Sequence, residues 1–104
     1  MKFFSLTISD TAAKDLSEII SYLKIELSYP DSAKLLLKKI RKETSKLKEL
    51  PFLFPLVEDE IFAARKIRKL SIDNILIFYI VNESKKTVSV IRILYARRDW
   101  INLI

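Results

Sequence analysis

Phe4, Leu6 and Ile8 alternate with Ser5, Thr7 and Ser9, a period of two that predicts a short strand with one buried face. Ser9 or Asp10 then offers a side-chain oxygen to the free N–H groups of a helix's first turn. Ala12, Leu16, Ile19, Ile20, Leu23 and Leu27 follow at helical spacing. Pro30 closes that helix, because the residue before a proline is driven out of the helical region. Asp31 is the next expected cap. A second stripe of Ala33, Leu36, Leu37, Ile40, Leu47 and Leu50, with Thr44 in its gap, runs to Pro51. With only a Tyr-Pro-Asp link between them, the two helices are expected to fold back as an antiparallel hairpin.

Residues 52–56 are an apolar loop bracketed by prolines, expected to lie on the core as a plug. After the acidic triplet Glu58-Asp59-Glu60, residues 61–70 read as a second strand carrying Arg65, Lys66, Arg68 and Lys69. Residues 71–74 are a turn. Residues 75–81 are continuously apolar, which predicts a central strand covered on both faces. Residues 82–86 turn the chain again, residues 87–95 form a fourth strand, and residues 96–104 are a tail with one or two helical turns. The order β-α-α-β-β-β predicts one α+β domain over residues 1–104. Its helical hairpin packs on one face of a mostly antiparallel four-stranded sheet.

Composition narrows the chemistry. The 104 residues contain no Gly, which excludes Gly-rich phosphate loops. The absence of His and Cys excludes zinc-finger sites, Cys–His nucleophile pairs, Ser–His–Asp triads and disulfides. Asp, Glu, Lys, Arg, Tyr, Ser and Thr remain. The formal charge of +6 suits a polyanionic or acidic partner, and it equally keeps a small domain soluble. The polar residues Ser5, Thr7, Ser9 and Asp10 interrupt the N-terminal segment, unlike a signal peptide. No apolar run approaches the roughly 20 residues of a membrane span. A cytoplasmic protein without membrane contact is expected.

Ala13-Lys14-Asp15-Leu16-Ser17-Glu18-Ile19 with Tyr22-Leu23, Pro30-Asp31-Ser32-Ala33, and Leu47-Lys48-Glu49-Leu50-Pro51 with Pro55 form an ordered set. Arg65-Lys66-Ile67, the segment 74–81, and Val90-Ile91-Arg92-Ile93-Leu94-Tyr95-Ala96-Arg97-Arg98-Asp99-Trp100 continue it. In order and spacing, over nearly the whole chain, they resemble the RelE/ParE superfamily of toxins from bacterial type II toxin–antitoxin modules. The resemblance implies a growth-inhibiting toxin neutralised by a cognate antitoxin. Its target is either messenger RNA on the ribosome, cut without a metal or other cofactor, or DNA gyrase, bound without chemistry. A basic partner-binding module, or a toxin that has lost its activity, is the alternative.

RNA cleavage of this kind needs a base for the ribose 2′-OH, cations for the transition-state charge and an acid for the leaving oxygen. Without His, the expected site residues are Arg65 and Arg68 on the second strand and Tyr95, Arg97 and Arg98 at the end of the fourth. With strands two and four flanking strand three, these groups are expected to line one basic surface. Period-two alternation points Arg65 and Arg68 to opposite faces. Nuclease members of the superfamily usually carry an Arg three residues before the third-strand Tyr; the corresponding residue before Tyr79 is Leu76. The plainer readings are a solvated cationic strand face, packed tyrosines, a Trp100 that closes the core, and Arg97 and Arg98 paired with Asp99, Glu58 or Glu60. The Lys-rich second helix reads as an outer face that also suits an acidic partner.

Overall fold

The computed structural model describes residues 3–98 and 100–104. Strand β1 (Ser5–Ile8) leads into helix α1 (Asp10–Ser21), a wider π-type turn (Tyr22–Glu26) and helix α2 (Pro30–Ser45). A single 3₁₀ turn (Lys46–Lys48) follows, then the short helix α3 (Glu60–Ala64) and strands β2 (Ile67–Ile72), β3 (Ile75–Asn82) and β4 (Thr87–Tyr95). Another 3₁₀ turn (Trp100–Asn102) lies in the tail.

Ser9 caps α1, its Oγ accepting from the Ala12 N–H at 3.0 Å. The helix loosens at Tyr22, well before Pro30, and Leu27 is exposed rather than part of the buried stripe. Pro30 opens α2 at a first-turn position that needs no N–H donor. Asp31 is therefore inside the first turn, where its charge favours the helix dipole, and does not cap it. Ala33, Leu36, Ile40 and Leu47 are buried as expected, and Thr44 fills the gap by donating to the Ile40 carbonyl at 2.8 Å. Leu50 is exposed. Of the loop between the prolines, Phe54 packs against the core while Phe52 and Leu53 stay exposed.

The second strand starts later than its apolar pattern suggests. Asp59 Oδ1 accepts from the N–H groups of Ile61 and Phe62 at 3.0 and 3.1 Å, and this cap nucleates α3. Phe62 is buried beneath that turn. Arg65 and Lys66 thus lie in the connection, Lys66 with a φ of 63°, and β2 begins at Ile67. At its other end β2 includes Ser71 and Ile72, so the turn to β3 is only Asp73-Asn74.

The sheet order is β1-β4-β3-β2, with β1 parallel to β4 and the other pairs antiparallel. β3 is central, and its residues 75–79 are buried. One sheet face presents Leu70, Ile72, Ile75, Ile77, Tyr79, Val88, Val90 and Ile93 to the helical hairpin. The other holds a second core of Ile67, Leu76, Phe78 and Leu94 with Val57 and Phe62, closed by Trp100, Leu103 and Ile104. A bulge in β4 makes this possible. Phe78 pairs with Arg92 and Tyr79 with Val90, so Ile91 is extra and the alternation resets.

Candidate functional site

The register divides the expected site residues between opposite ends of the sheet. Arg68 pairs with Tyr79 and, through it, lies level with Val90. Tyr95 pairs with Ile75. From Tyr79 to Ile75 is four rungs, about 13 Å along the strands. Arg65 lies beyond Arg68 at one end, and Arg97 and Arg98 beyond Tyr95 at the other. β2 and β4 do flank β3, but they run in the same direction, so the start of one cannot meet the end of the other. The single basic surface expected from the sequence does not form.

At the β2 end the cations rest on aromatic rings. The Arg68 guanidinium lies 4.9 Å from the Phe52 ring centre and donates from Nη1 to the Phe54 carbonyl at 2.7 Å. This pins the apolar loop to β2. Arg65 stands 5.9 Å over Phe62, and Lys69 reaches the opposite face, 5.4 Å from the Trp100 ring. These are packing contacts, worth ~0.5–1 kcal/mol each where exposed. Arg65 is off the strand, so strand alternation does not govern its direction.

At the other end Tyr95, Arg97 and Arg98 share a cleft of about 420 Å³ between the helical hairpin and the end of β4. Its apolar lining is Ile19, Leu23, Leu36, Ile93 and Leu94, with the exposed Leu27 at its mouth. Glu18 and Tyr22 from the first helix and its π turn and Asn74 from the hairpin between β2 and β3 add exposed polar groups, and the buried Asp15 also lines it. Among the described residues no ion pair joins Arg97 or Arg98 to Glu58 or Glu60. The expected pairing with Asp99 lies outside the described residues.

Two residues organise this end of the sheet, and neither was among the expected site residues. β1 stops at Ile8, level with Val90, and leaves the outer edge of β4 open beyond it. Asp15, buried on α1, reaches over to that edge. Its carboxylate accepts from the Ile93 N–H at 3.0 Å and from Arg92 Nε and Nη2 at 2.8 and 3.0 Å. The third arm of Arg92 donates from Nη1 to the Leu103 carbonyl. One guanidinium therefore joins the hairpin, the strand and the tail. The hydrogen bond to Asp15 holds the Arg92 pKa above its ordinary value, so it stays charged throughout the accessible pH range. The sequence signal was available: Arg92 is the lone charge within 87–95, an otherwise uncharged strand.

Tyr79 and Leu76 have no access to a substrate. Tyr79 is fully buried, donates its hydroxyl to the Pro51 carbonyl at 3.1 Å, and has its pKa pushed up by burial. Leu76 is buried in the second core. Trp100 is a lid, its ring centre 5.2 Å from Phe78 and 6.2 Å from Phe62. Among the described residues no helix is long and apolar enough to cross a membrane.

The fold is similar to a structure of the chromosomal ParDE toxin–antitoxin system from P. aeruginosa. The match has a TM-score of 0.73 at 20% identity, over 91% of this chain and 98% of that one. It is also similar to the toxin–antitoxin complex RelBE2 from Mycobacterium tuberculosis, with a TM-score of 0.60 at 14% identity over 89% and 98%. No protein of curated function matches the sequence. The family described as the ParE toxin of the type II toxin–antitoxin system parDE matches residues 6–100. Nearly the whole domain, from β1 to the Trp100 lid, falls within that match, and the chain belongs to the ParE toxin family.

Proposed function

We propose that this toxin inhibits DNA gyrase by binding it, without chemistry of its own, and that a cognate antitoxin neutralises it. One observation carries the reading: of the five residues expected to serve RNA cleavage, Arg65 and Arg68 stand at the opposite end of the sheet from Tyr95, Arg97 and Arg98. Arg68 is tied to the Phe54 carbonyl, and Tyr79 is buried and protonated. The cleft that remains has an apolar lining and exposed charged groups, a form that suits a protein segment better than a ribose-phosphate chain. An antitoxin segment with apolar anchors and acidic residues opposite Arg97 and Arg98 fits the same cleft, and occupying it blocks the toxin.

Ribosome-dependent cleavage of messenger RNA keeps one observation in its favour: Glu18, Tyr95, Arg97 and Arg98 do share that cleft. The two readings separate cleanly. Added to a purified gyrase supercoiling reaction, the chain is expected to stop supercoiling, and cells expressing it are expected to show no new messenger 5′ ends by primer extension. Arg97→Ala is then expected to weaken growth inhibition only modestly. Cleavage would instead make Arg97→Ala lose about 100- to 1000-fold of activity, the usual effect of removing one transition-state donor. Unaffected gyrase together with cut messenger RNA overturns the proposal. Normal growth with folded toxin present returns the chain to a partner-binding module.

A further inference from the structure

The charge of this protein is not spread over it. From Pro30 to Lys48, α2 and its 3₁₀ extension hold seven cations against two acids, a net +5 of the chain's +6. The rest of the molecule is close to neutral. Lys39 pairs with Asp73 at 3.2 Å and Lys46 with Glu43 at 3.0 Å. Lys34, Lys38, Arg41 and Lys42 are exposed, and among the described residues none has an acidic side chain within ion-pair distance. Lys34, Lys38 and Lys42 turn away from the buried Ala33, Leu36, Ile40 and Thr44 and form the outward ridge of the helix, with Arg41 on its flank. Lys34, Lys38 and Lys42 succeed one another at one turn each, about 6 Å apart along the axis. That interval is close to the spacing of successive phosphates along a nucleic-acid strand. This ridge lies on the solvent side of α2, away from the cleft beneath the hairpin.

We propose that the outer ridge of α2 is a sequence-independent docking surface for the phosphate backbone of duplex DNA. Four unpaired cations crowded on one convex face repel each other and gain most from an extended polyanion. Lys and Arg side chains of this kind position a protein on a duplex without reading bases. The ridge lacks what other partners need. Residues 30–48 include no aromatic residue, so unpaired bases have no platform to stack on. Leu35 is the exposed large apolar side chain of the helix, too little for the buried anchors of a protein interface or for insertion into a lipid surface. The inference stands on charge placement and does not depend on gyrase being the target. If gyrase is the target, the ridge would grip DNA held by that enzyme.

Fluorescence anisotropy with the full chain and a labelled duplex of about 20 base pairs of mixed sequence tests this. Four phosphate contacts predict a log–log salt slope of about −3.6, so binding should weaken about 100-fold between 50 and 200 mM salt. The triple variant Lys34→Glu/Lys38→Glu/Lys42→Glu is expected to lose detectable binding while keeping its circular dichroism. The charge-matched control Lys14→Glu/Lys24→Glu/Lys85→Glu is expected to retain the slope. Equal losses in both variants would mean that net charge alone attracts DNA, and would overturn the surface. Tighter binding to poly(U) or to phosphatidylserine vesicles than to the duplex would overturn the choice of ligand. Gyrase left uninhibited while DNA binding follows the ridge would sink the functional reading and leave this one intact.

Discussion

The two faces of the sheet are buried by different means. One lies beneath two amphipathic helices whose apolar stripes repeat for several turns. The other is closed by a single turn of α3 and the last five residues of the chain, with Trp100 wedged against Phe78 and Phe62. The helical side repeats its contacts, so removing one leaves the rest. The tail side depends on a few large side chains and on Arg92, whose guanidinium spans from Asp15 on the helical side to the Leu103 carbonyl on the other. A face covered by a short segment thus borrows its order from the face covered by helices.

Emptying the centre of the thin side is expected to have the largest effect. Phe78→Ala should cost about 4 kcal/mol. A domain of this size should then melt about 20 °C lower. The chain has one tryptophan, so Trp100 emission reports on that side alone. It should shift to the red in Phe78→Ala and stay unchanged in Ile40→Ala, which opens the helical core instead. Equal emission in both variants would mean that the two faces are not separately ordered.

Asp15→Ala cuts the link between the two faces. It strands Arg92 and the Ile93 N–H, and removing one partner of a largely buried ion pair costs about 3 kcal/mol. Asp15 sits on the helical side, yet Trp100 emission on the far side should also shift, because Arg92 no longer holds the Leu103 carbonyl. A loss of stability with Trp100 emission unmoved would show that the tail stands by itself. The two exposed pairs, Lys39–Asp73 and Lys46–Glu43, contribute ~0–1 kcal/mol each by comparison.

The smallest effect belongs to Tyr79. Removing its hydroxyl in Tyr79→Phe forfeits one buried hydrogen bond, about 1 kcal/mol. Burial raises its folded pKa above the ordinary 10.0. The stability of the neutral phenol is therefore complete below pH 10 and is lost as pH rises towards the folded value. Denaturant melts between pH 8 and 11 should show a smaller alkaline loss in Tyr79→Phe than in the parent chain. Identical slopes would mean that the hydroxyl is not held neutral in the fold.

Apolar periodicity gave the helical hairpin, the central strand and the class of fold, because each of those elements repeats a simple spacing over ten or more residues or runs unbroken. It failed at residues 61–66, where apolar and cationic residues mimic a strand. The Asp59 cap, a local hydrogen bond, outweighed that pattern and made a helical turn. For the site, the residue types were legible and their grouping was not. Tyr95, Arg97 and Arg98 do meet at a cleft; Arg65 and Arg68 belong to the opposite end. Asp15 and Arg92 were visible as charges in apolar company, but 77 positions separate them, and no local pattern pairs residues so far apart.

The sequence by itself determined which chemistries are closed to this protein, since missing His, Cys and Gly cannot be supplied by any fold. It also determined two helical stripes, one fully apolar strand and a helix that holds nearly all the net charge. The tertiary structure decided which charges face one another. Strand direction and register set that arrangement: β2 and β4 run the same way, a bulge at Ile91 resets the alternation, and the open edge of β4 draws Asp15 across to it. These are relations between segments distant in the chain. They arise only when the sheet closes, because a hydrogen-bonded register is a property of two strands and is written in neither one alone.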